Sequence, residues 1–488
     1  MRIAMVASEC EPFAKTGGLA DVVDALSRAL GRAGHSVDVY LPRYRSLSHV
    51  PIDLVPREVV VPVGVDPALG ARGESGRRVT VTVWTGTADG YRLRLVEHDP
   101  AFAREGFYGG PEGDYPDNGM RFTLLGRAAL ETIRAEARPV DILHGHDWQA
   151  GPAVLSLRTR YAFDPLMARA ATVMTCHNLA YHGWIPRERA WALDLPDGIG
   201  DHYGVDLLRE SVRIADLVNT VSPTYAEESL TPEYGGGLDE TLRQRGDRYS
   251  GILNGIDTSL WDPATDPALP AVYSAHDLAG KARCREDLAA RHGLDAGGPI
   301  FGLVGRLDPQ KGFDLVAAGA ARIVEAGARL IILGTGDARL VESIHGLAAE
   351  RPDRVVVLDR FDRDEARRIY AGADAFLMPS RFEPSGQGQL IALRYGTVPI
   401  VRLTGGLADT IVDADVDAED GNGFGFLPAD PAAFVETSQR AIAAWNDPAR
   451  WAAIQRRGML ADPSWAGPAA RYEQLYRRAL ELRASTEA

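Results

Sequence analysis

The chain has 488 residues, 45% hydrophobic and 25% charged, the make-up of a soluble globular protein with room for two large or about three smaller domains. Its formal net charge of −14 and its pI of about 5.3 argue against nucleic acid or an anionic membrane as a partner. Three scattered cysteines, Cys10, Cys176 and Cys284, offer neither a disulfide framework nor zinc spacing and fit a reducing cytoplasm. The apolar start Met1–Ser8 is too short for a signal peptide, with Glu9 and Glu11 close behind, and no run nears the ~20 apolar residues of a membrane span.

Ile3–Ser8 reads as a buried parallel strand. A loop follows, Lys15-Thr16-Gly17-Gly18-Leu19-Ala20-Asp21, and then a helix with Val22, Val23, Leu26 and Leu30 on one face. A cation and two glycines between a strand and a helix suit a phosphate or a dense set of sugar hydroxyls. Val37–Pro42 is a second strand. Val59–Val65, Arg78–Val83 and Tyr91–Val96 read as antiparallel additions. Phe107–Asn118 reads as a loop and Arg121–Ala135 as a helix.

Three further strands end in polar loops: Val140–His144 before His146-Asp147, Thr172–Cys176 before His177-Asn178, and Leu217–Val221 before Ser222. Ligands bind beyond the carboxyl ends of such strands, so these loops supply site candidates; a cap or turn role is the alternative for Asn178 and Ser222. Tyr249–Asp257 reads as a short strand with a turn at Asn254-Gly255, and the Pro- and Asp-rich Trp261–Pro270 marks a domain boundary.

A second strand–helix series follows, with strands at Pro299–Val304, Arg329–Leu333, Arg354–Leu358, Ala375–Met378 and Val398–Val401, the last completing the set. Arg306 and Lys311 sit between Gly305 and Gly312, a loop able to put positive charge on a diphosphate leaving group; for Arg306 a surface ion pair with Asp308 is the alternative. Glu383 precedes Ser385-Gly386-Gln387-Gly388 and a helix at Leu390–Tyr395. It is placed to bind sugar hydroxyls, or simply to sit as a charge at a helix start. The chain ends in an amphipathic helix at Ala469–Arg483. Thr404–Asp409 repeats Thr16–Asp21 letter for letter, and the two loops are expected to face one cleft from opposite sides. No G-x-G-x-x-G stands in the first βα turn, Gly334-x-Gly336 lacks its third glycine, and no Walker A motif occurs, which disfavours a nicotinamide dehydrogenase and a P-loop ATPase.

Lys15–Val23, His144–Trp148, His177–Gly183, Asn254–Asp257, Gly305–Gly312, Pro379–Gly386 and Thr404–Thr410 together resemble bacterial glycogen synthases and plant starch synthases across nearly the whole chain. The resemblance implies an α/β protein of GT-B fold, two Rossmann-like doubly wound domains facing across a deep cleft. Residues 1–255 would form the acceptor domain, 256–465 the donor domain, and 466–488 a helix crossing back to the first. It implies retaining transfer of α-glucose from ADP-glucose to the non-reducing 4-OH of an α-1,4-glucan, with no metal or other cofactor.

By the same resemblance Lys15, Gly17 and Gly18 contact the donor phosphate or glucose, and Asp21 is substrate-binding. Asp147, His177 and Asn178 line the glucose and acceptor side. Arg306 and Lys311 hold the diphosphate, Glu383 binds the donor glucose, the helix after Gly386 faces the phosphates, and Asn254, Ser385, Gly386, Gln387 and Gly388 are substrate-binding. Two positions depart from the family pattern: Gly388 stands where a threonine is usual, and Ile391 where many relatives carry a second glutamate. The expected chemistry is front-face displacement, with double displacement through a carboxylate as its alternative. A UDP-glucose-dependent transferase, a nucleotide-sugar epimerase on the same fold and a non-catalytic glycan-binding protein are the competing functions.

Overall fold

The computed structural model describes residues 1–47, 52–64, 77–196, 198–295 and 297–487; Val65, the end of one expected strand, lies outside them. The chain forms two compact units. Unit 1 comprises Met1–Val221, Ala226–Ile252 and Trp465–Ala488; unit 2 comprises Ser222–Tyr225 and Leu253–Ser464. No described helix is long and apolar enough to cross a membrane.

Unit 1 runs through β1 (Arg2–Val6), α1 (Gly18–Arg32), β2 (Ser36–Pro42), β3 (Val55–Pro62), β4 (Arg78–Thr87), β5 (Arg92–Glu97), α2 (Asn118–Glu136), β6 (Ile142–His146), α3 (Asp147–Arg158), β7 (Ala171–Cys176), β8 (Leu217–Thr220) and β9 (Tyr249–Gly251). These strands make one nine-stranded sheet in the order β9-β8-β7-β6-β1-β2-β5-β4-β3. Every residue of β6, β7 and β8 is buried, as strands covered on both faces must be. Helix α1 turns Val22, Val23, Leu26 and Leu30 inward.

Of the three additions expected to be antiparallel, β3 and β4 pair that way. β5 is antiparallel to β4 but parallel to β2, with Asp38 opposite Arg92, because two successive reversals return the chain to its earlier direction. The expected loop at 107–118 holds a small pairing of Gly109–Gly110 with Gly113–Asp114, and α2 starts inside it at Asn118. Buried Arg121 explains the early start. Its guanidinium donates to Ala101 O, Asn118 Oδ1 and Phe107 O, pulling that segment onto the helix.

Unit 2 contains β10 (Ile300–Val304), β11 (Arg329–Leu333), β12 (Val355–Leu358), β13 (Ala375–Met378), α4 (Gly388–Arg394), β14 (Val398–Arg402), α5 (Gly405–Thr410) and β15 (Phe424–Phe426). Its sheet is parallel throughout, in the order β12-β11-β10-β13-β14-β15, so β15 adds a strand beyond the expected set. Phe301, Phe313, Leu330, Ile332 and Phe434 anchor its core. Asn254-Gly255, read as a turn, makes none: the backbone runs on from 252 to 257 without one. Glycine is needed there for close approach, since a Cβ would stand 2.7 Å from the Ser464 carbonyl oxygen.

Among its parallel strands each sheet reverses order once, between β1 and β6 in unit 1 and between β10 and β13 in unit 2. The chain segments leaving these neighbouring strands diverge, which opens a crevice beyond their carboxyl ends. The last helix, α6 (Ala466–Glu487), belongs to unit 1. Its buried Tyr472 and Tyr476 reach the sheet: Tyr476 Oη lies 2.8 Å from His144 Nδ1, and Tyr472 Oη accepts from Asn219 Nδ2 at 3.1 Å.

Tyr476→Ala removes a wholly buried ring and should destabilise unit 1 by about 3–5 kcal/mol, whereas Tyr476→Phe should cost about 1 kcal/mol. Urea unfolding followed by circular dichroism checks the ranking.

Candidate active site

Several of the sequence-predicted residues follow strands that flank the two switch points. In unit 1, β6 runs straight into α3 with no intervening loop, and Asp147 makes the corner with φ +56°, a left-handed conformation strained for a residue with a Cβ. The strain is held by a hydrogen bond: Asp147 Oδ1 accepts from the His177 backbone N–H at 2.6 Å, tying the ends of β6 and β7 together. Burial raises the Asp147 carboxyl to about 7, against the pull of the His177 and Asn178 backbone N–H groups, and the negative Glu9 pushes the same way as burial.

The His177 ring meets His146, with Nε2 3.0 Å from Nδ1. His146 in turn lies against His144, centroids 4.1 Å apart and ring planes tilted by 36°. Burial lowers all three imidazoles, His177 and His144 to about 3, so this row is neutral at pH 7. Asn178 makes the local turn offered as its alternative, accepting from Ala180 N at 2.9 Å.

The first hexapeptide copy lies open. Lys15, Thr16, Gly17 and Gly18 are exposed, and neither glycine has a neighbour within 4 Å of where a Cβ would stand. Lys15 Nζ bonds Asp21 Oδ1 at 2.6 Å and approaches Glu11 Oε2 at 3.4 Å. The second copy is built differently. Gly405 and Gly406 are buried, and a Cβ on them would stand 2.1 Å from Glu383 O and 2.0 Å from Ser385 O. Asp409 accepts from Thr224 N and Oγ1 at 3.0 and 2.8 Å. Identical letters thus make an exposed loop in unit 1 and a backbone clasp in unit 2.

In unit 2 the loop after β10 is stitched to the loop after β13. Gly312, at φ +70°, packs against Pro379 O, and Arg381 N donates to Gln310 O at 2.9 Å. Across this seam Lys311 Nζ donates to both oxygens of Glu383, at 2.9 and 2.6 Å, while Ser380 Oγ donates to Oε2 at 2.9 Å. Glu383 is buried. Arg306 makes the ion pair offered as its alternative, with Asp308 at 2.5 Å, and also bonds Gln310 at 2.9 Å; it stays 62% exposed and so keeps freedom to swing.

Ser385 Oγ, Gln389 Oε1 and Asn254 Oδ1 are buried with no hydrogen-bond partner among the described residues, as groups that receive a ligand can be. Ile391 packs into the apolar cluster with Tyr370, Phe376 and Leu390, so it faces the core. A Cβ at Gly388 would meet Met378 Sδ and a Phe376 ring carbon at 3.1 Å, which leaves little room for a threonine. Among the described residues no group of three or more acidic, His or Cys side chains is placed to hold a metal ion.

Two contributors were missed by motif reading. Ser380 orients Glu383, and Glu9, buried just after β1, grips the Lys15 loop. A carboxylate closely following a switch-point strand was the available signal for Glu9.

Residues 2–244 match the model of the starch synthase catalytic domain, and residues 285–457 that of the group 1 glycosyl transferases. The chain is 43% identical to a glycogen synthase of Syntrophotalea carbinolica, covering 99% of both chains, and 45% identical to one of Anaeromyxobacter dehalogenans, covering 98% of this chain and 99% of the relative. Its structure is similar to the catalytic domain of starch synthase IV from Arabidopsis thaliana bound to ADP and acarbose, with TM-score 0.87, 34% identity, and coverage of 98% and 99%. Sucrose-phosphate synthase from Thermosynechococcus elongatus, at TM-score 0.60 and 21% identity, shares the fold. With two Rossmann-like units, switch-point residues in each and this likeness over its length, the chain belongs to the glycogen and starch synthase family of GT-B glycosyltransferases.

Proposed function

We propose that this glycosyltransferase moves α-glucose from ADP-glucose to the non-reducing 4-OH of an α-1,4-glucan, with retention at the anomeric carbon. The observation that carries the reading is the Lys311–Glu383 contact at the unit 2 switch point. A cation for a departing diphosphate stands beside a buried carboxylate for the sugar that leaves it. Arg306, released from Asp308, adds a second charge on the diphosphate. Asn254, Ser385, Gly386, Gln387 and Gly388 complete the donor site with side-chain and backbone donors.

Unit 1 contributes the glucan side. Asp147, His177 and Asn178 bind the transferred glucose and the acceptor. Lys15, paired with Asp21, serves the donor together with Gly17 and Gly18. In front-face displacement the bond from C1 to the diphosphate oxygen breaks and the bond from the acceptor O4 to C1 forms on the same face. The departing phosphate oxygen takes the acceptor proton, giving ADP and a glucan one glucose longer. Glu383 and ionised Asp147 offset positive charge growing on the ring. The scheme gives the leaving group its countercharge from Lys and Arg and calls on no metal or further cofactor. A cytoplasmic setting fits the three free, buried cysteines.

Supplied with glycogen and equal ADP-glucose and UDP-glucose, the protein should lengthen glycogen with release of ADP; a preference for UDP-glucose, or a new nucleotide sugar with no chain growth, would overturn the reading. Lys311→Ala should lower kcat/KM by roughly ten- to a hundredfold, the loss of a charged hydrogen bond of about 1.5–3 kcal/mol. Kinetics within threefold of the parent would remove Lys311 from this role. Because burial brings Asp147 to about 7 and the anion is the working form, kcat/KM should fall as pH drops through about 7. Asp147→Asn should be slow and lack that limb in the same pH–rate profile.

A further inference from the structure

We propose that Glu9 is a positioning residue for the Lys15 loop, and that Tyr108 links the same carboxylate to the hairpin at 107–114. The loop has little packing of its own: Lys15 to Gly18 are exposed, and Gly17 and Gly18 touch nothing that would hold a side chain. A loop of this kind keeps one shape only if its backbone polar groups are held.

Glu9 does the holding. It is 3% exposed, in the connection that leaves β1 at the switch point. Its Oε2 accepts from Thr16 N at 2.5 Å and Gly17 N at 3.1 Å. Its Oε1 accepts from Thr16 Oγ1 at 2.6 Å and Tyr108 Oη at 2.5 Å. Four donors on one buried carboxylate satisfy it without a cation.

These bonds also change what the loop can do. The Thr16 and Gly17 N–H groups already face Glu9, so they are not the anion-binding donors that the glycines suggested. What the loop presents outward is the Lys15 ammonium, at a position set by a carboxylate behind it. Tyr108 Oη also lies 2.8 Å from Ser8 Oγ, and Asn118 Nδ2 donates to Tyr108 O at 2.8 Å. Asn118 is in turn bonded by buried Arg121. A continuous hydrogen-bonded chain therefore runs from α2 through Tyr108 and Glu9 to the backbone next to Lys15.

The kinetic half of the test rests on the donor role given to Lys15 under the proposed function; the exchange half does not. Hydrogen–deuterium exchange at the Thr16 and Gly17 amides should quicken at least tenfold in Glu9→Ala and stay within threefold of the parent in Glu9→Gln. A glutamine carbonyl can take both amides while its NH2 faces two hydroxyls able to turn and accept. Unchanged exchange in Glu9→Ala, or equal loss of protection in Glu9→Gln, would overturn the clamp.

In kinetics, Glu9→Ala should lower kcat/KM for ADP-glucose roughly 10- to 100-fold, the scale of a misplaced contact group. In a Lys15→Ala background the same change should cost less than threefold, because the group it positions is gone. Equal losses in both backgrounds would mark a general structural role and sink the proposal. Should Glu9→Ala fail to fold, Tyr108→Phe carries both measurements: it should give a three- to tenfold kinetic loss that vanishes with Lys15→Ala, and parental exchange and kinetics would refute it. A parent that turns over no ADP-glucose while the exchange results hold would defeat the functional reading and leave the clamp standing.

Discussion

Parallel strands buried on both faces leave one place in a sheet where a polar site can be built at low cost. Backbone groups within the sheet are spent on neighbouring strands, and the helices cover both faces. Only where the strand order reverses do the following segments part, and the carboxyl ends of two adjacent strands look into a gap. Both units obey this constraint. Glu9 and Asp147 follow β1 and β6; Lys311 and Glu383 follow β10 and β13.

The two gaps are furnished by opposite electrostatic means. Unit 2 buries a full charge and answers it directly, with an ammonium and a hydroxyl on Glu383. Such a pair is costly to bury, and breaking it from one side costs more still, so it is a precise local feature with little spare stability. Unit 1 keeps its histidine row neutral by burial and satisfies its carboxylates mainly with backbone N–H and hydroxyl donors. One gap thus holds a paired charge, the other neutral rings beside hydrogen-bonded carboxylates.

Much of this was legible from residues alone, because buried parallel strands are continuous apolar runs. The strands at Arg329–Leu333 and Ala375–Met378 have the expected bounds, and polar residues follow the carboxyl ends of several strands as read. Three things were not legible. The direction of β5 depends on how many reversals the chain makes before returning, which local pattern does not count. Asn254-Gly255 carries turn letters, but its glycine answers a carbonyl contributed from Ser464, far along the chain. Glu9 was weighed only as a charge that spoils a signal peptide; its partners at 16, 17 and 108 meet it only after folding.

The repeated hexapeptide shows how far spelling can separate from duty. In the first copy glycine leaves surface open; in the second it lets two backbones touch beneath Glu383 and Ser385. The same missense change would therefore be read in two ways by selection. At Gly17 a methyl group would add bulk to an outer face. At Gly406 it would shove aside the main chain at Ser385, two residues from Glu383, and so disturb the ion pair with Lys311 without touching either side chain.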